Sequence, residues 1–269
     1  MVKSAERVLD ILELLRQSGP SKFKDIVSAL GLPKSSASML LGGLVRKGYL
    51  VLDPATHLYR PTYRVALLGE GIERQTILGE GALLETLGRL HRECGETLVV
   101  GLRNGAYVQY IHVLSKSTNL MRRLPVGKLR PLAYNPLGKA LLARLNEPEM
   151  RLIVRHNNAT RHESLDRQSE ADLCAQIAAI REAGHVVDRG STWPSAIIVA
   201  MAIIPAPGLP PLAVALGGLN DQFAPRLGEI TASLARALAP WCGRADAARR
   251  DYTGSAVTSP PENSPIAAK

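Results

Sequence analysis

The feature that most constrains this chain is one apolar spacing that recurs three times in its first fifty residues. Val8, Ile11, Leu12 and Leu15 stand at i, i+3, i+4 and i+7, which is one stripe of an α-helix. Phe23, Ile26, Val27 and Leu30 repeat the spacing, and Ala37, Leu40, Leu41 and Leu44 repeat it again. Ser4 reads as the first N-cap, Gly19-Pro20 as the first stop, and Gly31 and Gly48 as the next two ends. Helices this short do not persist alone. The three stripes must therefore close on one another as a trihelical unit.

Only Gly31-Leu32-Pro33 separates the second helix from the third. Glycine allows a positive φ there and proline blocks continuation of the helix, so the pair reads as a helix-turn-helix. Opposite its apolar stripe the third helix carries Lys34, Ser35, Ser36 and Ser38, with Arg46 and Lys47 at its far end. Small donors and a cation at a helix N-terminus suit base edges and phosphates. Two short β-type segments, 49–52 and 57–60, flank the turn residues Asp53-Pro54-Ala55-Thr56 and predict a hairpin wing. From Lys22 to Arg64 there are seven basic side chains, Arg60 among them, against only Asp25 and Asp53. More than half of the net charge of +9 sits in that stretch, which reads as a face for the phosphates of double-stranded DNA.

The second half predicts an α/β domain. Segments 97–102 and 107–113 flank Asn104-Gly105, a hairpin signal. Residues 136–145 read as a helix with proline in its first turn, and 173–183 as another that stops at Gly184. Segments 197–204 and 212–216 read as buried strands. Between the halves, Leu83, Leu87, Leu90 and Cys94 make a further helical stripe. No internal repeat is present, and after Arg250 the composition turns to Ser, Pro and Ala, as in disordered tails.

The glycine-leucine-proline turn, third helix and wing, GLPKSSASMLLGGLVRKGYLVLDPATHLYRPTYRVALLG, resemble the IclR family of bacterial transcription regulators. The likeness continues through CGETLVVGLRNGAYVQYIHV, LPVGKLRPLAYNPLGKALLARL, LCAQIAAIREAGHVVD and AMAIIPAPGLPPLAVALGG, to about residue 239. It implies an α+β chain. A winged helix-turn-helix domain would span 1–63, a helical linker and dimer contact 64–95, a GAF-like effector domain 96–250, and a disordered tail 251–269. It also implies regulation of transcription, by repression or activation, by a homodimer or homotetramer.

Carried over position by position, the resemblance implies that Asn119, Arg122, Arg130, Asn135, Pro136, Leu137, Asp188, Ile198, Ala215 and Gly217 line an effector pocket. Arg122, Arg123, Arg130 and Tyr134 are candidate partners for the effector's acid group, and Trp193 is a candidate to stack on a ring or cap the mouth. The acid group would meet backbone N–H groups at the start of the helix after Asn135. Pro136 removes one such donor, and Ile198, Ala215 and Gly217 replace polar contacts, so the expected effector is an organic acid with an apolar or aromatic body. Met39 stands where the family often has arginine, a guanine reader. Gly42 and Gly43 sit mid-helix at a cost of ~1 kcal/mol each relative to alanine.

Other classes find less support. Cys94, Cys174 and Cys242 form no CxxC pair and are expected as free thiols in a cytoplasmic protein. His156 and His162 lack a third ligand, so neither metal nor cofactor is expected. Neither GxGxxG, GxxxxGK[ST] nor GxSxG occurs. Residues 1–19 carry charges throughout, unlike a signal peptide, and the apolar run 196–206 falls short of the roughly 20 residues of a membrane span. An enzyme or a metal-responsive sensor carrying a DNA-binding head is the alternative reading.

Overall fold

A computed structural model describes residues 3–69, 81–115, 124, 126–160, 167–191, 194–205 and 209–242. The chain divides into two compact units, Met1–Gly79 and Glu80–Lys269.

In the first unit α1 spans Lys3–Ser18, α2 Phe23–Leu30 and α3 Lys34–Arg46. Ile11, Leu15, Ile26, Leu32, Ala37, Leu41, Leu44 and Leu50 form its core, drawn from all three stripes. Ser4 lies inside α1, which already includes Lys3, so it is not a cap. Gly31 closes α2 with φ +59°, and its backbone N–H donates to the Val27 carbonyl. The wing consists of β2 (Leu50–Leu52) and β3 (Leu58–Pro61). A two-residue strand, β1 (Ser21–Lys22), pairs with the other edge of β3, giving a sheet of order β1-β3-β2. That third strand had no pattern of its own, because two residues cannot show a period. A short helix, α4 (Tyr63–Leu67), follows the wing, capped by the Thr62 hydroxyl.

The second unit is built on a six-stranded antiparallel sheet. Its strands are β4 (Thr97–Asn104), β5 (Tyr107–Leu114), β6 (Leu129–Pro131), β7 (Val186–Arg189), β8 (Ala196–Ile203) and β9 (Leu212–Leu219). They lie in the order β6-β5-β4-β9-β8-β7. Asn104 stays paired with Tyr107, so the hairpin loop is Gly105-Ala106, one residue later than expected. Gly105 takes φ +59° at the first loop position, where a type II′ turn needs glycine.

Both faces of this sheet are covered. On one lie α6 (Pro136–Leu142), α7 (Glu147–Ala159) and α8 (Glu170–Ala183), over Val99, Val108, Tyr110, Ala200, Ala202, Ala213 and Ala215. The other meets α5 (Gly81–Cys94) and α10 (Leu227–Cys242), which pack against each other and against β4 and β8 respectively. The connection from β9 to α10 passes through a single helical turn, α9 (Asn220–Phe223). Covered faces explain why β8 and β9 read as continuous apolar runs rather than alternating ones.

The Leu83, Leu87, Leu90 and Cys94 stripe, expected as a linker contact between heads, belongs to this second core instead. All four side chains are buried within the single chain. Arg226 fastens the end of α5 by donating to the Cys94 carbonyl at 3.2 Å, and it ion-pairs with Glu229 at 3.3 Å. Residues 70–80, 161–166 and 251–269 lie outside the described residues, so the expected tail and part of the expected linker go undescribed. Among the described residues no helix is long and apolar enough to cross a membrane.

Candidate functional site

The third helix presents two opposite faces. Ala37, Leu41 and Leu44 are buried, whereas Lys34, Ser35, Ser38, Met39 and Arg46 are exposed. Ser36 is half-buried beside the core stripe, which makes it the weakest of the expected DNA-contacting positions. With 3.6 residues per turn, Ser35, Met39, Gly42 and Arg46 share the strip farthest from the core. Arg46 lies back along the two glycines: a Cβ placed on Gly42 would stand 3.3 Å from its guanidinium.

The wing is held by its own polar groups. Asp53 accepts from the backbone N–H groups of Ala55 and Thr56 at 2.9 and 3.0 Å. Those amides, Thr56 foremost, hold its carboxyl below the usual carboxylate range. The Thr62 hydroxyl donates to the Gly48 carbonyl, and Arg64 lies 5.2 Å over the Tyr49 ring. Arg60 is exposed on β3.

On the second unit the strand register brings several expected effector residues together. Asp188 pairs with Ile198, Ile198 with Gly217, and Gly217 with Thr97, one row across four strands. The next row on that face is Val186, Ala200, Ala215 and Val99. Ile198, Ala200, Ala215 and Gly217 thus form a patch of mostly small residues on the sheet. Asp188 accepts from the backbone N–H of Ser191 at 3.2 Å and from its hydroxyl. Arg130 sits on the edge strand β6, opposite Val108.

The helix start expected to hold an acid is already filled by the chain. Asn135 Oδ1 accepts from the N–H groups of Leu137 and Gly138 at 3.0 and 3.4 Å, and the Lys139 N–H donates to the Asn135 carbonyl at 2.8 Å. Pro136 has no N–H. The backbone amides of this turn are therefore spent on its own cap, and Asn135 itself is buried and bonded to Tyr110. Tyr134 is also committed: its hydroxyl donates to Asn158 Oδ1 at 2.7 Å on α7. Leu137 is buried in the core. Asn119, Arg122, Arg123 and Trp193 lie outside the described residues.

The cation that sequence reasoning missed is Lys139, one turn into α6. Burial pushes its ammonium pKa down, while the nearby Asp188 carboxylate works the other way. Its ammonium donates to Gln176 at 2.9 Å. In the sequence it stood inside the predicted helix 136–145 with nothing to mark it as a site residue. At the other end of α6 a cavity of about 210 Å³ is lined by Ala140, Ala143, Arg144, Ile180, Arg181 and Ala202, with Gly184. Its two arginines donate to the Ala202, Ala143 and Leu145 carbonyls, which gives them structural roles. His156 stands edge-on to Tyr107 at 6.2 Å. The cysteines are free thiols.

A family model described as "Bacterial transcriptional regulator IclR C-terminal" matches residues 81–240, and one described as "IclR helix-turn-helix domain" matches residues 4–54. The chain belongs to the IclR family. The Streptomyces coelicolor glycerol operon regulatory protein is similar to this IclR-family chain, 29% identical over 253 residues, covering 91% of it and 94% of the relative. The Escherichia coli regulator XynR is 26% identical over 189 residues, covering 70% and 75%. In three dimensions the Thermotoga maritima IclR structure matches with a TM-score of 0.68 at 18% identity, covering 89% of this chain and 97% of that one. This IclR-family chain is a DNA-binding regulator of transcription, like its relatives, and not an enzyme.

Proposed function

We propose that this regulator is a cytoplasmic repressor that lays α3 in the major groove of its operator and rests the wing on the flanking backbone. The observation that carries the reading is the exposed Lys34, Ser35, Ser38, Met39 and Arg46 surface, set opposite the buried stripe of the same helix. One head covers a half-site, so the working form is a homodimer or a pair of dimers. The Escherichia coli relative AllR, 26% identical over 223 residues, is named a transcriptional repressor. Fluorescence anisotropy on DNA from upstream of its own gene tests the docking. Lys34→Ala lowers the slope of log K against log salt by about 1, the loss of one phosphate contact. An unchanged slope excludes Lys34 as that contact.

The effector of this reading is an organic acid with an apolar or aromatic body, seated at the half-buried Ile198, with the buried Ala200, Ala215 and Gly217 behind it. Lys139 meets its acid group in place of the helix amides, which the Asn135 cap occupies. An apolar wall contributes ~25 cal/mol per Å² of ligand surface covered, which favours a ring over a two-carbon acid. Thermal-shift titration with benzoate and with glyoxylate decides the class. A rise in Tm with benzoate that Lys139→Gln diminishes supports it. A response to glyoxylate alone overturns it.

A further inference from the structure

We propose that Met39 reads the methyl group of a thymine in each operator half-site; the inference rests on α3 being the DNA-reading helix. Met39 is 70% exposed, so packing within its own unit covers only a minor part of its apolar side chain. It lies on the strip farthest from the core, between Ser35 one turn earlier and Gly42 one turn later. Serine donates and accepts, and glycine contributes no side chain. Methionine is the one large apolar group on that strip.

The major groove offers base edges that are hydrogen-bond donors and acceptors, with a single apolar feature, the C5-methyl group of thymine. An unbranched thioether suits that group, because it is polarizable and adapts its shape through three rotatable bonds. Gly42 strengthens the match. Gly42 adds no side chain of its own, and the Arg46 side chain that lies over it is long, flexible and exposed, so the helix can sit close to the groove floor and carry the Met39 thioether down to the bases. Arg46 folds back along Gly42 and Gly43, so its guanidinium stands over the turn that follows Met39, within reach of a base edge or phosphate there. An exposed methionine could instead serve a protein partner. Its neighbours on the strip, the Ser35 hydroxyl and the Arg46 guanidinium lying over Gly42, suit base edges and phosphates rather than an apolar protein surface.

The experiment starts from the operator that the full-length protein selects out of random duplex DNA. Each thymine of the half-site is then replaced in turn by deoxyuridine, which removes the methyl group and leaves base pairing intact. Affinities are measured for wild type and for Met39→Ala, a change at an exposed position that spares the core. One replacement weakens wild-type binding about fourfold, equivalent to ~0.8 kcal/mol for one buried methyl group, and leaves Met39→Ala unaffected. A scan in which no thymine behaves this way overturns the proposal. Ser35→Glu separates the two levels, since a first-turn glutamate is compatible with the helix dipole. If it abolishes specific binding while the uracil scan is flat, α3 reads DNA and only the Met39 inference fails. If it leaves binding intact, the docking of α3 fails as well.

Discussion

The Asn135 carboxamide donates to the Tyr110 hydroxyl at 2.8 Å while its oxygen caps the first amides of α6. One buried side chain thus joins a sheet strand to a helix N-terminus. Asn135→Ala removes the cap and leaves a buried Tyr110 oxygen without that donor. The expected cost is about 1–3 kcal/mol in urea unfolding. Tyr110→Phe costs less, because the cap survives.

Gly138 follows that cap and lies against the backbone of Leu132. A Cβ at Gly138 would stand 2.5 Å from the Leu132 Cα and 2.7 Å from its carbonyl carbon. Backbone cannot move aside as a flexible side chain can. Gly138→Ala, which would stabilise an exposed helix, is therefore expected to cost about 1–3 kcal/mol here. Differential scanning calorimetry should show a lower Tm; a higher one would contradict the close approach.

Leu87 is fully buried on α5. Its truncation to alanine is expected to destabilise the second unit by about 2–5 kcal/mol. Light scattering at temperatures where the variant remains folded should show the same oligomer as wild type. Dissociation without a change in Tm would return the leucine stripe to a role between subunits.

Burial holds the His112 imidazole below its ordinary value of 6.5. The unfolded chain therefore binds a proton that the folded chain resists. The contribution is present in full above about pH 6.5 and is lost as pH falls from there toward the depressed folded value. Urea midpoints measured between pH 7.5 and pH 5 should fall less steeply for His112→Gln than for wild type. Equal slopes would refute the assignment.

The sequence by itself determined the first unit almost entirely. Its stripes at Ile11–Leu15, Ile26 and Ala37–Leu44, its turn at Gly31-Leu32-Pro33 and its wing all follow from local periodicity and local turn chemistry. The exposed face of α3 follows in turn, because burying one stripe of a helix dictates what the opposite face shows to solvent. Most of the strands of the second unit were legible for the same reason. The tertiary structure decided whatever depends on partners distant in sequence. Strand β1 exists only because β3 passes beside it. The Leu83–Leu90 stripe is apolar whether it faces a second chain or its own, and only the packing of α10 against α5 shows those leucines buried within their own chain. The row from Asp188 through Ile198 to Gly217 is a matter of strand register. The resemblance implies an anion site at the helix start after Asn135. It is filled instead by its own carboxamide, which Tyr110, 25 positions earlier, holds in place across the core.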